Sequence, residues 1–92
     1  MVEGKTSTGF NFKYDERILE DYRLLEVIGQ FDETSSKVGQ AKALKDMVDY
    51  IFGEAKEAFF EHIKAQNDGY MPIKKIQAEI IEIINASKEL KN

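Results

Sequence analysis

The side chains that could do chemistry in this chain are few, and their spacing works against them. His62 is the only histidine, and Glu61 stands beside it. A lone histidine at the edge of an apolar helix face reads as a boundary residue, because proton transfer or metal ligation needs a second group at defined spacing. Glu54, Glu57 and Glu61, and then Glu79 and Glu82, recur at three- and four-residue steps. That is the pattern of exposed helix faces, and without a second histidine it carries little metal-site signal. Gly4 to Thr6 spells "GKT", but a phosphate loop also requires an upstream glycine and a preceding strand, and both are missing. The expectation is no catalytic residue, no bound cofactor and no metal. Lys74 and Lys75 read as a surface pair in the first turn of a helix.

Composition narrows the class further. The chain has 92 residues, enough for one domain spanning 1–92 with one modest core. Apolar residues make up 42% and charged residues 33%, which favours a globular rather than a disordered chain. Cysteine is absent, so neither a disulfide framework nor a thiolate site is expected. The net charge of −4, with lysines and acids interleaved, argues against nucleic acid or an anionic membrane as partner. No apolar run follows a basic start, so no signal peptide is expected. The apolar-rich stretch 73–84 is broken by charges and cannot span a bilayer.

What remains to be positioned is binding surface, and the elements follow from periodicity. Thr6, Thr8, Phe10, Phe12 and Tyr14 alternate with smaller or polar residues, which predicts a strand near 6–14. Asp15 is a good N-cap for a first helix near 16–31. That helix carries two stripes: Ile18, Leu19, Tyr22, Leu25 and Ile28 on one face, and Leu24, Val27 and Phe31 nearly opposite. A helix apolar on both sides is either central in its domain or shared with a partner. Ser35 or Ser36 can cap a second helix near 37–52, whose stripe is Val38, Ala41, Leu44, Val48, Ile51 and Phe52. Gly53 offers a stop, and a break there is favoured over a kinked continuation. A third helix near 54–66 ends at "NDG", Asn67 to Gly69. Pro72 suits the first position of a last helix, 72–90, with Ile73, Ile76, Ile80, Ile81, Ile83 and Ile84 on one half of its circumference. The fold class is therefore mainly α: a small bundle of three to four helices with a short N-terminal strand or hairpin. Its tightest core is expected from Ile18, Tyr22, Leu25, Val48, Phe52, Phe59, Ile76 and Ile80.

The strand poses the open question, since the rest of the chain reads as helix and an isolated strand leaves backbone groups unpaired. It can fold back on "MVEGK", pair with another subunit, or keep an edge open for a client. Its aromatics either cap the helical core, or Phe10, Phe12 and Tyr14, supplemented by Leu24, Val27 and Phe31, are the candidate partner-binding residues; a hairpin would still leave one edge to a neighbour.

"TSTGFNFKYDERILEDYRLLEVIGQFDE", Thr6 to Glu33, resembles the opening of the tail assembly chaperones of long-tailed bacteriophages. The resemblance continues through Phe52, Gly53 and Glu54 and through "EHIKAQNDGYMPIKKIQAEIIEII", in the same order and at the same spacing, over nearly the whole chain. Two positions depart from the pattern: Tyr22 stands where tryptophan is expected, and Tyr70 where a basic residue is common. The resemblance implies a non-enzymatic assembly factor of the host cytoplasm that is absent from the mature virion. It implies binding to the long helical tape-measure protein and help in recruiting tail tube protein, with self-association as an option. In many such phages a frameshift makes a longer minority product; this chain would correspond to the shorter product or to the shared N-terminal part. A structural or tail-completion module retained in the virion is the alternative.

Overall fold

A computed structural model describes the backbone of residues 1–90 and the side-chain surroundings of residues 1–87. The strand finds its partner within the chain. β1 (Val2–Lys5) pairs antiparallel with β2 (Asn11–Tyr14), with Val2 opposite Tyr14 and Gly4 opposite Phe12. The strand expected over 6–14 is thus shorter at its start. Thr6 to Phe10 make the turn, closed by Thr6 N–H to Phe10 O at 2.8 Å and Gly9 N–H to Thr6 O at 2.9 Å. Gly9 takes φ +98°, a conformation that disfavours any side chain. Gly4 lets the Phe12 ring lie across the strand, since a Cβ there would come within 2.9 Å of the ring.

The first helix departs most from expectation. Residues Glu16–Glu20 form a 3-10 turn capped by Asp15, and Asp21 is then extended at φ −77° and ψ 129°. Only after it does α1 (Tyr22–Glu33) begin. A break at Asp21 resets the helical phase, so the two stripes exchange roles. Leu24 is fully buried and Phe31 nearly so, with Val27 packed beside them, whereas Tyr22 is 73% and Leu25 51% exposed. Ile18 and Leu19 still reach the core, but from the 3-10 turn.

Both breaks are fixed by local electrostatics. The Asp21 side chain accepts from Arg23 N–H at 2.8 Å and from the Arg23 guanidinium, and Arg23 in turn lies 5.2 Å from the Tyr50 ring centre. The hydrogen bonds from Arg23 hold the Asp21 carboxyl well below the usual carboxylate range. Arg17 holds Asp15 in the same way, at about 2.

The remaining helices follow the sequence closely. α2 (Lys37–Phe52) is capped by Ser36, whose Oγ accepts from Gly39 N–H at 2.8 Å. Gly53, at φ +55°, ends it. A single 3-10 turn, Gly53–Ala55, leads into α3 (Lys56–Gln66). The Asn67–Gly69 turn, with Asp68 and Gly69 both at positive φ, precedes α4 (Ile73–Leu90). Isoleucine costs up to about 0.7 kcal/mol against alanine in a helix. Full burial returns about 1.5–3 kcal/mol per side chain, so packing decides the conformation of α4. Ile76, Ile80 and Ile83 are buried, Ile73 and Ile84 partly so, and Ile81 is half-exposed.

α2 rather than α1 is the central helix: it packs on α1, α3, α4 and β2. Its buried face is Ala43, Leu44, Met47, Val48 and Ile51, while Val38 and Ala41 face outward. Of the expected tightest core, Val48, Phe59, Ile76 and Ile80 are buried, Ile18 and Phe52 sit at its margin, and Tyr22 and Leu25 lie on the surface.

Candidate functional site

The hairpin aromatics belong to the core. Phe12 and Tyr14 are buried, and the Tyr14 hydroxyl donates to Ile83 O at 2.8 Å. Burial pushes the Tyr14 phenol up. Phe10 is half-buried between Phe52, Phe59 and His62, with ring centres 5.3–5.8 Å away. Leu24, Val27 and Phe31 pack inward as described above. The six residues expected to form a partner surface are therefore used by the chain's own fold. The reason is that β1 pairs with β2 and that Asp21 rotates α1.

A polar cluster joins the hairpin turn to α3 and α4. The Thr8 hydroxyl donates to Glu79 Oε1 at 2.6 Å and lies 2.9 Å from His62 Nε2. Its single proton goes to Glu79, so the His62 nitrogen donates to it. Ser7 donates to Glu82 through both its N–H, at 2.6 Å, and its hydroxyl, at 2.9 Å. Glu79 and Glu82, expected on exposed helix faces, are buried and half-buried respectively. The cluster reads as a clasp that seats the turn on α4. Among the described residues, no three His, Cys, Asp or Glu side chains are grouped so as to hold a metal ion.

Glu79 Oε2 is buried without a hydrogen-bond partner. An unpaired oxygen of this kind costs stability, more so in an acidic group. Glu79→Gln retains the acceptor for Thr8 and removes the acid but sets an unpaired amide NH2 where Oε2 lay, so stability is expected to change by less than about 1 kcal/mol. A urea midpoint at neutral pH measures this. A loss of about 2 kcal/mol or more would show that the acid itself holds the turn in place.

The strongest candidate for an interaction site is a surface groove of about 220 Å³ between α1, α2 and α4. Ile28, Phe31, Leu44, Met47, Ile80, Ile81 and Ile84 line it, with Asp32, Gln77 and Asn85 as its polar members. Of the six expected partner residues only Phe31 contributes. Ile81 could have been found from sequence: the isoleucine arc on α4 is wider than one packing face requires. Ile28 and Met47 carry no such signal, because their place on the groove wall depends on how α1 and α2 are set against each other.

A second apolar groove lies between α2, α3 and the start of α4, lined by Ala41, Leu44, Phe60, Met71, Ile73 and Ile76. Its charged members already pair with one another, Lys45 with Asp49 at 3.1 Å and Lys56 with Asp49 at 3.3 Å. Among the described residues no helix is long and apolar enough to cross a membrane. Comparison with family models, with curated proteins and with solved structures returns no match.

Proposed function

We propose that this chain is a non-enzymatic tail assembly chaperone of a long-tailed bacteriophage. In this reading it binds helical segments of the tape-measure protein and helps recruit tail tube protein during tail morphogenesis. It would act in the host cytoplasm and leave before the virion is complete. The observation that carries the reading is the apolar groove between α1, α2 and α4, taken with the sequence resemblance over nearly the whole chain. A groove walled by three helices suits an amphipathic helix inserting side chains at steps of three, four and seven residues. The polar cluster offers no competing chemistry, since its hydrogen bonds are spent on the chain's own hairpin turn.

Co-expression with the tape-measure protein of the same phage tests this. The two are expected to co-purify, and the chain is expected to be missing from purified virions. Ile81→Asp places a charge in the groove at a half-exposed position, so the fold should persist while co-purification is lost. Failure to co-purify, or full co-purification of the folded Ile81 variant, would refute the groove reading. Presence in the virion would favour the tail-completion alternative.

A further inference from the structure

The outer face of α1 carries features that its own fold does not use. Tyr22 is 73% and Leu25 51% exposed, and both continue outward from the groove wall at Ile28. With Gly29 they floor a shallow surface depression bordered by Glu26 and Glu33. Gly29 lies mid-helix with ordinary helical backbone, and nothing lies within 4 Å of where a Cβ would sit. A glycine there weakens the helix, and neither the chain's conformation nor its packing demands one. It does keep the surface low, as close approach of another helix requires.

The charges point to what approaches. Asp32 and Glu33 stand in the last turn of α1, which contains no basic residue, so both face the negative end of the helix dipole. Neither has an ion-pair partner among the described residues. Asp32 lies on the groove side, whereas Glu26 stands with Glu33 along the depression and interacts only with Tyr22, one turn before it. Arg23, the one cation of α1, is on the other flank and committed to Asp21.

We propose that this face, continuous with the groove, docks an amphipathic helix of a partner protein that carries lysine or arginine beside its apolar stripe. The apolar stripe lies over Leu25, Gly29 and Ile28, and the basic side chains meet Glu26 and Glu33 along its outer rim. A second copy of this chain would bring the same acids to the same face, so the charges favour a basic partner over self-association. The inference rests on the chaperone reading only for the identity of the partner and otherwise specifies its chemistry.

The test uses the full chain, isotope-labelled, titrated with two synthetic amphipathic helical peptides. They share one leucine stripe and differ in flanking it with lysine or with glutamate. The lysine peptide is expected to bind at least about tenfold more tightly, with amide shifts concentrated in Tyr22–Glu33. A Glu26→Lys, Glu33→Lys double variant should reverse the preference. Gly29→Gln should melt at a higher temperature yet bind the lysine peptide more weakly, a pairing that a merely structural glycine would not give.

Equal affinity for both peptides, binding of neither, or shifts on another face would overturn the proposal. So would a doubled solution mass traced to this face, which would make a second copy its occupant. The two readings fail separately. Tape-measure co-purification that survives the double variant leaves the chaperone reading and removes this one; lysine-peptide binding without co-purification does the reverse.

Discussion

Phe59→Ala is expected to cost about 3–5 kcal/mol, the largest effect of any single truncation considered for this chain. Phe59 is fully buried, and three rings close around it: Phe52 at 4.9 Å, Phe10 at 5.3 Å and Phe60 at 5.8 Å. The cluster draws on three parts of the chain: Phe10 from the hairpin turn, Phe52 from the end of α2, and Phe59 and Phe60 from successive positions of α3. A cavity there cannot collapse without moving all of them. A domain of this size holds about 5–14 kcal/mol in total, so the variant should lose about a fifth or more of its stability in urea. Phe60→Ala, at a half-buried site, is the control and should cost less than half as much. A Phe59 loss below about 1.5 kcal/mol would show that the cluster closes over the gap.

Deleting residues 1–13 is expected to abolish cooperative unfolding. The deletion removes Val2 and Phe12, both buried, along with Phe10 from the aromatic cluster. Three such side chains contribute about 5–8 kcal/mol of apolar burial, comparable to the whole stability. It also strips Thr8 from Glu79 and Ser7 from Glu82, leaving one buried and one half-buried acid without those donors. Far-ultraviolet dichroism should retain part of its helical signal while the near-ultraviolet signal and the sharp melt disappear. A truncated chain that still melts sharply would make the hairpin an appendage, and strand addition by a client would again be open.

Much of this architecture was legible in local chemistry. Ser36, Gly53 and the Asn67–Gly69 turn each carry a capping or turn signal that acts within a few residues, and α2 begins and ends where those signals place it. The isoleucines of α4 declared their need for a partner surface. The orientation of α1 was not legible, because both of its stripes satisfy helical periodicity and the choice rests on one residue. Asp15 and Asp21 are each good caps, and a sequence reading that spends the first has no local reason to break the helix again at the second. Glu79 misled for a different reason. Its spacing from Glu82 fits a solvated face, and only the hairpin turn, some seventy positions away in sequence, covers it. The groove inherits this uncertainty: Phe31 and Ile81 could be read from the chain, whereas Ile28 depends on the rotation of α1.

The clasp between the hairpin turn and α4 also sets an order on the chain's synthesis. β1 and β2 emerge from the ribosome well before α4, but Glu79, Glu82 and the Ile83 carbonyl that receive Ser7, Thr8 and Tyr14 belong to that later helix. Domains form as units during translation at about 5–20 residues per second, so the hairpin waits several seconds for the helix that completes it. During that interval Val2, Phe12 and Tyr14 lack their finished core. The nascent chain is then open to hydrophobic encounters that the finished core excludes.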